Sequence, residues 1–211
     1  MILKVSPTRI SLLNLKKELK VAKKGHKLLK DKRDGLIKKF MTIIFETRDL
    51  RKSVEERLGS AFDSYQRSSS MTPRLSQNVA LMLPNAEINL EVGVKSVMSV
   101  KIPEFKISKN GSAFSYGFLE TTGDLDNAIA KFDEVFVDII RLAQLEKTAE
   151  NLADEIEKTR RRVSALENVM IPNLEETIKF IAMQLDERAR DAVVSTMRVK
   201  AMIVAKEGLR K

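Results

Sequence analysis

The chain contains no cysteine, which excludes disulfides, thiolate metal sites and cysteine nucleophiles. It has a single histidine, His26, so a multi-histidine metal cage is excluded too. Tryptophan is absent, aromatics are 5% of the 211 residues, and Gly and Pro number only 8 and 5. So few breakers and so few bulky rings argue for long helices over a compact aromatic core. The longest apolar runs are a few residues, far short of the roughly 20 that span a bilayer. Met1-Ile2-Leu3-Lys4 lacks the apolar stretch of a signal peptide. These absences predict a cytoplasmic, non-enzymatic protein with no direct membrane insertion.

Charge is what the chain has in abundance. Lys and Arg number 38 against 29 Asp and Glu, a net of +9, and charged residues make up 32%. Residues 1–40 hold 13 Lys/Arg against Glu18, Asp31 and Asp34, a net of +10. Residues 195–211 add Arg198, Lys200, Lys206, Arg210 and Lys211 against Glu207. Both chain ends are basic and the middle is slightly acidic. If the ends meet in space, the molecule has one strongly positive pole.

Hydrophobic spacing says how the ends meet. From Leu12, steps of three and four run through Leu15, Leu19, Ala22, His26, Leu29, Arg33, Leu36, Phe40, Ile43, Thr47, Leu50, Val54, Arg57 and Ala61. This is a sustained heptad seam, with no proline between Pro7 and Pro73. Ser6-Pro7-Thr8 supplies the start, with Ser6 or Thr8 as the cap. Such a helix, about 80 Å long at 1.5 Å per residue, cannot bury its seam alone.

The partner helix lies in the same chain. A second seam reads Leu125, Ile129, Phe132, Phe136 and Ile139, then shifts phase to Leu142, Leu145, Ala149, Leu152, Ile156, Thr159, Val163, Leu166 and Met170. It continues from Leu174 through Ile178, Ile181, Leu185, Arg188, Ala192, Ser195 and Val199 to Met202. The steps Leu166–Met170–Leu174 are four and four, a stutter that coincides with Pro172. A stutter unwinds a supercoil and an interior proline kinks a helix, so a bend is expected there.

Between the seams, Gly and Pro punctuate a different kind of segment. Ile88, Leu90, Val92 and Val94 alternate as a half-buried strand does. Residues 97–102, ended by Pro103, read as a second strand and 114–118 as a third. The expected fold is therefore mostly α: a long antiparallel two-helix coiled coil joined by a small β-hairpin-containing head. The expected boundaries are 1–68, 69–121 and 122–211. Facing residue numbers would sum to about 190, which sets Arg33 near Glu157 and Arg57 near Asp133.

The chemistry-bearing residues are few. His26 reads as a polar seam residue that fixes register. Lys23-Lys24-Gly25-His26-Lys27 lacks the GxxxxGK[ST] pattern and sits within a helix, so it is no phosphate loop. Gly25 costs about 1 kcal/mol there relative to Ala; it is either tolerated or marks close approach of a neighbouring chain. Arg160-Arg161-Arg162 is either a solvated run balanced by Asp154, Glu155, Glu157 and Glu167, or a contact for an acidic partner. No catalytic, cofactor or metal grouping is apparent. The basic stretch has Phe40 and Phe45 as its first aromatics, which argues against a nucleic-acid stacking platform.

Two stretches carry a family resemblance. Pro7-Thr8-Arg9 with Gly25-His26-Lys27-Leu28-Leu29-Lys30-Asp31-Lys32-Arg33-Asp34 resembles the first helix of the D subunit of V-type rotary ATPases. Glu155 to Glu167, followed by Ile171-Pro172 and Leu185-Asp186-Glu187-Arg188, is similar to that family's C-terminal signature. Ser164 stands where the family pattern expects Asn, and the segment 185–191 is less acidic than usual. The resemblance implies a non-catalytic central rotor shaft in the ring of catalytic A and non-catalytic B subunits. It further implies that the head carries the F subunit and docks on the funnel-shaped subunit over the membrane rotor ring.

On that footing Lys16, Lys20, Lys23, Gly25, Lys27, Arg198 and Lys200 are candidates for the A/B ring contact. Arg160, Arg161, Arg162, Phe40, Phe45, Phe132 and Phe136 are candidates for contact with the F subunit or the ring. No cofactor is implied, and the chain carries nothing that distinguishes H⁺ from Na⁺ as the transported ion. Two other classes offer rival readings: a prefoldin-like coiled-coil chaperone and a basic nucleic-acid-binding coiled coil.

Overall fold

The computed structural model describes residues 5–82, 85–117 and 121–208. In chain order these form helix α1 (Arg9–Met71), helix α2 (Arg74–Met82), strands β1 (Glu87–Val97) and β2 (Val100–Asn110), and helix α3 (Gly123–Ala165). A π-helical turn (Leu166–Met170) and helix α4 (Ile171–Gly208) complete the order. The expected class is the one found: long N- and C-terminal helical segments with an antiparallel β-hairpin between them. Of the two candidate caps, Thr8 is the one used, its Oγ1 accepting a hydrogen bond from the Ser11 N–H at 3.1 Å.

The chain forms two compact units, one from the residues up to Asp34 together with those from Lys158 onward, the other Gly35–Glu157. In the first unit Leu15 and Ala22 of α1 are buried with Leu174 and Ile181 of α4, flanked by Leu12, Leu19, Ile171, Ile178 and Leu185. The pairing is antiparallel: Lys23 reaches Glu175 at 2.7 Å, and Arg188 donates to the Pro7 carbonyl at 2.9 Å. The stutter appears as the π-helical turn, where the Ile171 N–H donates to the Leu166 carbonyl five residues back. Pro172 has no N–H, and its ring would crowd the carbonyl four residues earlier. One widened turn relieves that crowding and absorbs the extra residue of the stutter.

In the second unit Leu36 and Ile43 of α1, Ala149 and Leu152 of α3 and Val100 of β2 form one core, with Phe40, Ile44, Leu145 and Ile156 against it. The phase shift expected near Ile139 does not occur. One heptad register runs through Ala128, Val135, Leu142, Ala149, Ile156 and Val163, none of them exposed. Phe132 and Phe136 are only half-buried and Ile139 is exposed, while Lys131 and Asp138 take the intervening seam positions. Opposite them stand Ala61, Ser64 and Ser68, all essentially buried. Small residues bring the helices close, which leaves the large rings no room in the seam.

The seam residue Arg57 differs from expectation accordingly. Arg57 meets Asp138 at 2.6 Å, more than a turn beyond Asp133, which instead holds Lys109. Arg33 bonds its neighbour Asp34, with Nε and Nη2 at 3.0 and 2.8 Å from one carboxylate oxygen.

The hairpin is longer than the sequence pattern indicates, and its turn lies elsewhere. β1 and β2 pair from Glu87↔Asn110 to Val97↔Val100, and the turn is Met98-Ser99, both at positive φ (52° and 69°). Neither is the Gly or Asn that normally marks such a turn, so residues 97–102 read as one strand. Pro103 does not end β2, because on an edge strand it removes no ladder hydrogen bond. No third strand forms over residues 114–117, and Phe118 lies outside the described residues. Residues 74–82 form α2, which the head reading did not anticipate.

The hairpin is fastened along the helices. Gln144 Oε1 accepts from the Phe105 N–H at 3.0 Å, and Asn151 Nδ2 donates to the Lys101 carbonyl at 3.0 Å. At the tip, a Cβ on Gly35 would stand 2.9 Å from Met98 Cε, so glycine makes the seat for that side chain. At the base, Gly111 has φ +91°, and a Cβ there would come 2.1 Å from the Asn85 carbonyl oxygen.

Candidate partner-binding surfaces

Among the described residues no His, Asp and Glu cluster is placed to hold a metal ion, and no helix is long and apolar enough to cross a membrane. A cavity of about 180 Å³ lies beside Arg57, Ser60, Lys131, Glu134 and Val135. Its cations are already engaged: Arg57 with Asp138, and Lys131 with the Ser60 and Ser64 hydroxyls at 3.0 Å each. The arrangement locks a polar stretch of the helix pair and offers no evident group for chemistry. The surfaces that remain suit partners.

On α1 of the first unit, Lys16, Lys20, Lys23 and Lys27 are exposed, as their places off the seam require. Lys23 is tied to Glu175, whose carboxyl is held below its ordinary value by that hydrogen bond and by the lysine's charge. Among the described residues nothing lies within 4 Å of a Cβ built on Gly25, so no other described element crowds it. His26 finds a carboxylate that sequence spacing did not indicate: its Nε2 lies 3.5 Å from Glu167 in the π-helical turn. Arg160, Arg161 and Arg162 are all exposed between buried Thr159 and Val163.

Arg198 and Lys200 sit on a stretch of α4 with a second character. α1 begins at Arg9 and Arg188 already reaches Pro7, so residues 189–204 run on exposed, with no described helix beside them. That stretch carries Val193, Val194, Met197, Val199, Met202, Ile203 and Val204, all about half exposed or more. The positive end is therefore as apolar as it is basic, which counting charges did not reveal. The spacing Val193–Met197 and Val199–Met202–Ile203 was available as a signal; among the described residues no helix faces it for it to bury against.

The aromatic candidates divide. Phe40 is half-buried against the Leu36–Leu152 core, and Phe132 and Phe136 are half-buried beside the small-residue seam. Phe45 is 54% exposed, and so is Phe62, whose ring meets Phe132 edge-on at 5.2 Å and 84°. With Met41 and Val137, also exposed, these rings leave much apolar area uncovered on the second unit. In the head, α2 exposes Leu75, Val79 and Met82, spaced as one helical stripe.

Known proteins resemble the chain along almost its whole length. Residues 11–201 match the family of ATP synthase D subunits. The V-type ATP synthase D subunit of Fusobacterium nucleatum is 46% identical over 204 residues, covering 95% of this chain and 97% of that protein. The D subunits of Acetivibrio thermocellus and Clostridioides difficile are 45% and 44% identical, over 96% and 97% of this chain and 93% of each relative.

Proposed function

The chain belongs to the family of ATP synthase D subunits, and from that premise we propose that it is the non-catalytic central shaft of a V-type rotary ATPase. The observation that carries the reading is the family match across residues 11–201, which takes in both antiparallel helix pairings and the hairpin. Residues 1–68 and 122–211 are the shaft and 69–121 the head. The shaft turns inside a ring of alternating A and B subunits, in the cytoplasm and peripheral to the membrane. Its rotation couples ATP hydrolysis or synthesis in the ring to ion transport below.

An asymmetric axle in a threefold ring cannot contact the three catalytic sites alike at once. Coupling is then the difference in contact free energy between site conformations, and that difference moves with each turn. The ring-held end is the one bearing Lys16, Lys20, Lys23, Lys27, Arg198 and Lys200. Charge of one sign all round attracts an acidic bearing with little angular preference and is screened less in a narrow protein sleeve than in open solvent. The exposed valines and methionines of residues 193–204 add a greasy contact of equally low directionality. The F subunit covers the Phe45–Phe62–Phe132 side, with Arg160–Arg162 as a further contact for it or for the ring. The head, with α2, docks on the funnel-shaped subunit.

The test is assembly. Truncation of residues 195–211 with Lys16, Lys20, Lys23 and Lys27 neutralised is expected to weaken binding to the A/B ring while the F subunit still binds. Ring affinity unchanged across a salt titration, together with loss of the F subunit, overturns the orientation. A saturating concentration of the F subunit is expected to raise the melting temperature of the free chain by mass action. Co-purification with unfolded clients or nucleic acid, and with neither ring protein, returns the chaperone or nucleic-acid reading.

A further inference from the structure

β1 is exposed along all but its last residue, and the way the hairpin is fastened leaves that strand as its open side. In an antiparallel ladder, hydrogen-bonded pairs alternate with pairs whose N–H and C=O groups point outward. Counting from the two-residue turn, Val97↔Val100 is a bonded pair, so Val92↔Phe105 and its even-numbered neighbours on β1 point outward. The Phe105 N–H does turn out, to Gln144 of α3, and the Lys101 carbonyl turns to Asn151. The outer edge of β2 is thus occupied by α3. Among the described residues, no backbone bond reaches the outward groups of Ile88, Leu90, Val92 and Val94 on the edge of β1.

Those four residues are also the exposed apolar face of the strand, at 46, 40, 61 and 70%. An eleven-residue edge with open backbone groups and an apolar face is a template for another strand. The opposite face says which strand fits. It reads Glu87, Asn89, Glu91, Gly93, Lys95, placing one acid and one base two residues either side of a glycine.

We propose that β1 pairs with β1 of a second copy of this chain, antiparallel, with Gly93 facing Gly93 at the two-fold axis. Glu91 of each copy then stands opposite Lys95 of the other, in the non-hydrogen-bonded pairs where cross-strand side chains come closest. Val92 of each copy faces Val94 of the other in the hydrogen-bonded pairs, so the outward N–H and C=O groups are satisfied and the apolar face continues across the joint. A register two residues away sets Lys95 against Asn89 and Glu91 against Gly93, and loses both ion pairs. Inside its own hairpin Glu91 lies opposite Lys106, so the joint extends an existing alternation of charge. The inference rests on the hairpin and not on the rotary reading. In a complex that takes one copy, the pairing belongs to the free chain and is undone on incorporation.

Sedimentation of the full-length chain over a wide range of concentration tests this. The native chain is expected to dimerise. Glu91→Lys alone and Lys95→Glu alone each set two like-charge pairs across the joint and are expected to weaken dimerisation roughly tenfold. An equimolar mixture of those two variants restores both ion pairs and is expected to recover the dimer as a heterodimer. Val92→Pro removes only an outward N–H, at a position like that of Pro103 on β2, and is expected to abolish dimerisation with the circular dichroism spectrum unchanged. A chain monomeric at every concentration overturns the proposal, as does a dimer indifferent to all three substitutions. A monomer whose Ile88, Leu90 and Val92 amides become protected from hydrogen exchange only in the assembled complex overturns it in favour of a strand from another protein of that complex.

Discussion

Where α1 faces α4, the buried positions are held by Leu15, Ala22, Leu174 and Ile181, with further leucines and isoleucines around them. Where α1 faces the start of α3, they are held by Ala61, Ser64, Ser68 and Ala128, with Leu125 and Val135. Lys131 and Asp138 bond across that second seam to Ser60, Ser64 and Arg57. Both stretches are antiparallel helix pairs in heptad register. The first is held by apolar area removed from water, at roughly 25 cal/mol per Å². The second gains less that way and more from close backbone approach and directed polar bonds. A consequence is visible at its flanks: rings such as Phe62 and Phe132, excluded from the seam, pack edge-on outside it and keep apolar surface free for a partner.

The comparison breaks most sharply under substitutions that change volume. Leu152→Ala in the fully buried Leu36–Val100 core is expected to cost about 2–5 kcal/mol, read as a lowered denaturant midpoint with an unchanged slope. Ala128→Leu is the converse experiment. At a position with no exposed area, the added carbons are expected to cost about 1–3 kcal/mol by forcing the helices apart. If Ala128→Leu stabilises instead, the small-residue seam has spare room and the contrast between the stretches fails.

Backbone conformation offers a second way in. Gly111→Ala places a Cβ at positive φ against the Asn85 carbonyl and is expected to cost about 1–3 kcal/mol, mostly as fraying of the hairpin base. Gly35→Ala meets only the flexible end of Met98 and is expected to cost less than Gly111→Ala, with the hairpin tip displaced. Amide exchange at Val97 and Val100 separates the two, since only the second variant loosens the tip first.

These contrasts mark what was legible in the sequence. Seams of leucine and isoleucine announce themselves, so the long helices, their antiparallel pairing and the irregularity at Pro172 follow from spacing alone. The seam of Ala, Ser, Lys and Asp does not. Following the largest apolar residues leads through Ile129, Phe132 and Phe136 into a false phase shift, because in that stretch closeness and not bulk selects the buried residue. The hairpin's existence was legible from alternation, but its turn carries neither Gly nor Asn, so its register was not. Arg57's true partner depended on that same helix register. The exposed tail of α4 was missed for a different reason: heptad spacing continues there while the partner helix has already ended at its N-terminus.

The smallest effect expected concerns the Lys23–Glu175 ion pair between α1 and α4 of the first unit. The Lys23 hydrogen bond, and then its charge, hold Glu175 below the ordinary glutamate value of 4.5. A depressed carboxyl contributes stability that is fully present above its unfolded value and is lost as pH falls through its folded one. The pair is therefore intact near neutrality, and its contribution fades only as pH drops below about 4.5. Both groups are exposed to solvent, at 55% and 42%, so the contribution at neutral pH is small and falls further with salt. Following the Glu175 side-chain carboxyl by NMR through an acid titration is expected to show a midpoint below 4.5, returning to the ordinary value in Lys23→Gln. The same variant should melt like the native chain near neutral pH, because Leu15, Ala22, Leu174 and Ile181 hold the pairing without it. A midpoint that stays low in Lys23→Gln would assign the shift to Lys179, the other cation acting on this carboxyl, and leave the Lys23 contact incidental.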